Sequence, residues 1–110
     1  MAYRDRPISC PRCGVELVGY PGREKWRCRV CAGVLAGPEE LPVEIEVLDK
    51  PRDRRRRATA SIDCPACGAT MQQMHVVKLD FDIERCTRDG YVWFDAGELG
   101  ALRAFVAEKL

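Results

Sequence analysis

Three C-x-x-C pairs constrain this chain more than any other feature: Cys10/Cys13, Cys28/Cys31 and Cys64/Cys67, with Cys86 the seventh cysteine. A C-x-x-C turn places two thiolates on one side of a tight loop, as two corners of a tetrahedron require. The spacing is that of metal ligands rather than of a disulfide framework. A chain of 110 residues buries little apolar surface, so a metal is the expected stabiliser. The N-terminus shows no apolar signal segment and no run approaches the roughly 18 apolar residues of a membrane span. The expected setting is cytoplasmic, where thiols stay reduced and open to metal.

The cysteines lie in an internal repeat. Ile8-Ser9-Cys10-Pro11-Arg12-Cys13-Gly14 returns as Ile62-Asp63-Cys64-Pro65-Ala66-Cys67-Gly68, with Leu17 matching Met71. Fourteen residues then separate Cys13 from Cys28, and eighteen separate Cys67 from Cys86. Beyond that gap the copies realign without an insertion: Cys28 with Cys86, Cys31 with Asp89, Val34 with Val92, Glu40 with Glu98, Leu41 with Leu99.

The first metal site is therefore Cys10, Cys13, Cys28 and Cys31, four thiolates for a structural Zn²⁺. Gly14 supplies a positive φ after the first pair, and Tyr20-Pro21-Gly22-Arg23 reads as a type II turn reversing the hairpin. The second site has Cys64, Cys67 and Cys86, with Asp89 at the fourth corner. Three readings stand for that corner: Asp89 as ligand through oxygen, His75 as ligand by folding back from mid-hairpin, or a weakened or metal-free site. His75 also has a plain reading as a half-exposed strand residue.

The fold class that follows is small and metal-stabilised: tandem zinc ribbons, each a short β-hairpin with zinc knuckles, plus a C-terminal α-helix. The first ribbon and a trailing strand, Val43 to Val47, occupy residues 1–48. Residues 49–61 form a linker carrying Arg52, Arg54, Arg55, Arg56 and Arg57, whose like charges and lack of apolar residues predict flexibility. The second ribbon and helix occupy residues 62–110. A flexible linker predicts modules that unfold independently. Pro42 stops the helical turn that Pro38-Glu39-Glu40-Leu41 could begin. Lys78 to Glu84 alternates as a strand with Leu79, Phe81 and Ile83 on its buried face. Asp95 with Glu98 is a capping box opening a helix to about Lys109, with Leu99, Leu102 and Val106 as an apolar stripe and Phe105 beside it. That stripe packs on its own ribbon or docks a partner.

Cys64-Pro65-Ala66-Cys67-Gly68 followed by Cys86-Thr87-Arg88-Asp89-Gly90-Tyr91-Val92-Trp93-Phe94-Asp95-Ala96-Gly97-Glu98-Leu99 resembles the bacterial transcription factor IIB-type zinc-finger family. The first copy fits more loosely, keeping Cys28, Cys31, Gly33, Val34, Glu40 and Leu41, with Leu35 in place of Trp and Gly37 in place of Asp. The resemblance implies a zinc-ribbon fold with Cys or His where Asp89 stands. It implies no transcriptional role, since ribbons serve many functions.

The expected function is non-enzymatic: two Zn²⁺ ions support a surface for a partner. A protein is the expected partner. Nucleic acid is the other, through the linker arginines and residues 1–37, with 7 basic against 3 acidic groups and Trp26 and Tyr20 for stacking. Neither a membrane nor a small-molecule substrate is expected. Two further classes stand beside this reading: a rubredoxin-like iron redox protein, since iron accepts the same thiolates, and zinc-dependent catalysis at the irregular second site. The latter lacks an accompanying acid–base constellation.

Overall fold

The computed structural model describes residues 8–41, 49–51, 62–76 and 81–109. Among the described residues, seven short strands form one antiparallel sheet: β1 (Val18–Gly19), β2 (Lys25–Arg27), β3 (Val34–Ala36), β4 (Asp49–Pro51), β5 (Gln72–Val76), β6 (Phe81–Arg85) and β7 (Val92–Phe94), in the order β1-β2-β3-β7-β6-β5-β4. One helix, α1 (Glu98–Lys109), closes the described chain. Among the described residues no helix is long and apolar enough to cross a membrane.

The two repeats meet at β3 and β7, their equivalent third strands. The register is Val34↔Phe94, Leu35↔Trp93, Ala36↔Val92. Leu35 and Trp93 are repeat partners, so a local two-fold axis passes between them. Each repeat satisfies the strand edge of the other, and an exposed edge is a liability in a small sheet.

Successive side chains in a strand point to opposite faces, and the register sorts them. One face carries the row Trp26, Leu35, Trp93, Glu84 and Gln73, each opposite the next. Its apolar members join Ile8, Cys10, Cys28, Ile62, Cys64, Cys86 and Tyr91 in a core drawn from both repeats. The other face carries Ala36, Met74, Ile83, Val92 and Phe94 beneath Leu99 and Leu102 of α1. The layers are thus cysteine loops, sheet and helix. Trp93, fully buried at the centre, is a residue whose truncation costs about 3–5 kcal/mol in a typical core.

The helix stripe covers a sheet that includes β3 of the first repeat, so Leu99 and Leu102 are spent on the chain's own core; the Val106 side chain lies outside the described part. In the first repeat the matching segment makes only a 3-10 turn, Pro38–Glu40. Leu41 is already extended (φ −79°, ψ 138°), the conformation that a following proline imposes.

Residues 49–51 differ from the linker expectation. They pair with β5 as Asp49↔Val76, Lys50↔His75 and Pro51↔Met74. Pairing to β5 satisfies backbone groups that an open edge would leave bare, and an edge strand tolerates a proline. The strand expected at Val43 to Val47, the arginines from Arg52 to Arg57, and Lys78, Leu79 and Asp80 lie outside the described residues.

Candidate metal centres

Four loops of one design carry the donors. In each, the N–H of the first ligand residue bonds to the carbonyl five residues on, and the N–H four residues on bonds back to its carbonyl. The pairs are Cys10 N to Val15 O at 2.8 Å with Gly14 N to Cys10 O at 2.9 Å, and Cys28 N to Gly33 O at 2.9 Å with Ala32 N to Cys28 O at 3.0 Å. The second repeat gives Cys64 N to Ala69 O at 2.7 Å with Gly68 N to Cys64 O at 2.8 Å, and Cys86 N to Tyr91 O at 2.8 Å with Gly90 N to Cys86 O at 2.9 Å.

The fifth residue of each loop takes a positive φ: Gly14 79°, Ala32 64°, Gly68 83°, Gly90 80°. Three are glycine, as the left-handed region favours; Ala32 is not. Gly33, one residue on, is needed for another reason. A Cβ there would stand 2.2 Å from the Trp93 ring, so its absence lets the second repeat's indole lie against the first repeat's loop.

The loops bring the donors together in two clusters: Cys10, Cys13, Cys28 and Cys31, and Cys64, Cys67, Cys86 and Asp89. Within each, the ligand atoms all lie within 4.8 Å of one another. Tetrahedral Zn²⁺ with Zn–S of about 2.3 Å needs S···S edges of about 3.8 Å. Cys10 Sγ to Cys31 Sγ is 3.8 Å. In the second cluster Cys67 Sγ to Cys86 Sγ is 3.5 Å. A mixed S···O edge is about 3.6 Å by the same bond lengths, and Cys64 Sγ to Asp89 Oδ2 is 3.5 Å. Both donor sets fit a tetrahedral cation.

Backbone N–H groups point at the first sulfur of each loop in the first cluster. Arg12 N and Cys13 N point at Cys10 Sγ, each at 3.3 Å. Val30 N and Cys31 N point at Cys28 Sγ at 3.3 and 3.4 Å. The Cys31 amide leads in holding Cys28 down to about 7, and a thiolate is the form that binds metal. Burial pushes Cys64 the other way, so this thiol ionises readily only against a bound cation. Asp89 Oδ1 accepts the Tyr91 N–H at 3.0 Å, which orients the carboxylate.

His75 is not in either cluster. It sits on β5 opposite Asp82, with Nδ1 2.8 Å from Asp82 Oδ1. Trp26 is not a stacking surface either; it is buried against Tyr91, ring centroids 5.9 Å apart.

A polar bridge between the repeats has no signal in the spacing of the cysteines. Arg12, in the first loop, reaches Asp95: Nε to Oδ1 at 3.2 Å and a second guanidinium nitrogen to Oδ2 at 3.4 Å. The same guanidinium lies 3.9 Å from buried Glu84, which accepts Gln73 Nε2 at 3.1 Å. Asp95 Oδ1 also takes the Trp93 indole N–H at 3.0 Å. Only half of the expected capping box forms. Glu98 accepts the Asp95 backbone N–H at 2.9 Å, while the Asp95 carboxylate turns to Trp93 and Arg12.

A family model described as "Transcription factor zinc-finger" matches residues 63–104. The match spans the second repeat and most of α1; the first repeat is related to it by the internal repeat and by the geometry of its four cysteines. Comparisons with curated proteins and with solved structures return no significant match.

Proposed function

We propose that this chain is a non-enzymatic interaction module whose metal ions are structural. Cys10, Cys13, Cys28 and Cys31 would hold one Zn²⁺; Cys64, Cys67, Cys86 and Asp89 would hold the other. The observation that carries this reading is closure: each cluster offers four protein donors, which leaves a tetrahedral ion no position for water or substrate. The family similarity of residues 63–104 favours zinc as the metal.

Bound Zn²⁺ supplies a cross-link. Structural sites in small zinc peptides are worth about 10–16 kcal/mol, as much as the whole stability of an ordinary domain. The chain's own residues do the rest: backbone amides stabilise the thiolates, Gly33 seats Trp93, and Arg12 ties the first loop to Asp95.

A protein partner suits the charge better than nucleic acid. Seven thiolates and two Zn²⁺ ions would take the formal net charge from +1 to about −2, and nucleic-acid binding draws on positive charge. Burial of Trp26 removes one expected base-stacking group. The nucleic-acid alternative rests on Arg52, Arg54, Arg55, Arg56 and Arg57.

Cobalt substitution tests closure. Co²⁺ in both clusters should give a tetrahedral spectrum that excess azide or cyanide leaves unchanged short of removing the metal. A saturable spectral change with the metal retained would reveal an open position and favour catalysis. A red protein containing iron as purified would favour the redox reading.

A further inference from the structure

Both loops of the first metal site lean on one short segment of the second repeat. The Trp93 ring lies so close against Gly33 that a Cβ there would stand 2.2 Å from it. Gly33 closes the second loop of that site, since its carbonyl takes the Cys28 N–H at 2.9 Å. Two residues beyond Trp93, the Asp95 carboxylate takes Arg12 through Nε at 3.2 Å and through a second guanidinium nitrogen at 3.4 Å. Arg12 lies between Cys10 and Cys13 in the first loop, and its own backbone N–H points at Cys10 Sγ at 3.3 Å. Asp95 Oδ1 also accepts the Trp93 indole N–H at 3.0 Å, so the two supports are joined to each other. A forked guanidinium–carboxylate pair fixes direction as well as distance, and close packing holds a fully buried ring in place.

The equivalent positions give the second site no such brace. In the repeat alignment Ala66 stands where the first copy has Arg12, Leu35 stands where the second has Trp93, and Gly37 stands where it has Asp95. Ala66 and Leu35 are buried but have no polar side-chain atom, and Gly37 has no side chain. The copies are alike in the loops that carry the donors and unlike in what holds those loops.

We propose that Trp93 and Asp95 are positioning residues for the first metal site, so that the first repeat holds its ion tightly only with the second repeat folded against it. The inference rests on Cys10, Cys13, Cys28 and Cys31 holding a structural ion. Groups that orient the ligands without touching the ion typically change metal affinity about 10–100-fold when removed. Because the brace runs one way, its loss should be felt at the first site and not at the second.

Chelator competition on the zinc-loaded full chain tests this, with the Gly14 and Gly68 amide resonances reporting the first and second sites. Asp95→Asn keeps an oxygen for the Trp93 indole and removes the charge that holds Arg12. It should lower zinc affinity at the first site about tenfold and leave the second site as in the parent. Asp95→Glu, which keeps the charge, should recover most of the loss. Arg12→Met should match Asp95→Asn at the first site, and the double variant should be no weaker than Arg12→Met alone, as two residues acting through one contact require. Arg12→Met also removes the cation beside buried Glu84, so Asp95→Asn keeps the test valid if that variant misfolds. Equal weakening of both sites, or a first site that Asp95→Asn leaves unchanged, overturns the inference and leaves the two structural ions in place. A parent chain whose first cluster takes up no zinc overturns the structural-ion reading and the inference with it.

Discussion

Asp89 makes the second site different in kind from the first. A carboxylate oxygen is a weaker partner for Zn²⁺ than a thiolate, so chelator should strip the second site before the first. Asp89→Cys should reverse that order or abolish the difference, and Asp89→Ala should lower metal retention further. Zinc release into a colorimetric chelator measures all three proteins. The loop residues offer a second check. Gly33→Ala forces a methyl into the Trp93 ring, and overpacking of this kind costs about 1–3 kcal/mol. Ala32→Gly relieves a left-handed alanine and should stabilise by up to about 1 kcal/mol. Thermal unfolding of the two variants should move in opposite directions. The cysteine corners and Asp89 were legible because C-x-x-C spacing is local and the repeat aligns the fourth corner. Arg12 with Asp95 was not, because 83 residues separate them and only the assembled sheet brings them together.

Strand β3 and strand β7 are three residues each, and nothing in Val34-Leu35-Ala36 or Val92-Trp93-Phe94 marks which edge will pair. Alternation correctly gives Ile83 a buried face but leaves Glu84 on the solvent side. Glu84 is buried because the first repeat's Arg12 and loop cover that face as well. Helix α1 was legible in extent, from its helix formers and Glu98, yet the Asp95 side chain answers to Trp93 and Arg12 instead of the helix end. Glu98 itself carries a pH signature. Burial raises its pKa to about 7, against the stabilising Asp95 amide. A carboxyl whose folded value is raised binds its proton more tightly in the folded state, so its contribution is present at low pH. It falls away as pH rises from the unfolded value, near 4.5, through 7. Glu98→Gln keeps an acceptor for the Asp95 amide without the charge. The variant should gain stability relative to the parent as pH rises toward 8. Denaturant unfolding of both proteins at each pH isolates this from thiolate titration, which the two share.

At the scale of the molecule, the arginine-rich composition of residues 49–61 suggests two modules that unfold separately, and the sheet argues otherwise. The β3–β7 pair, the seat of Trp93 on Gly33 and the Arg12–Asp95 contact all cross between repeats. A core that takes Cys10 and Cys64, Leu35 and Trp93 into one cluster should unfold as a unit, as small single domains do. Cys10→Ser should therefore weaken the second repeat along with the first. The most direct test is chelator titration of the metal-loaded full chain, with metal counted by native mass spectrometry and fold followed by the Trp93 indole resonance. The account predicts two Zn²⁺ per chain at the start, the second site emptying first, and complete metal loss erasing Trp93 and first-repeat signals together. A metal-free chain that keeps its Trp93 resonance dispersed would contradict it.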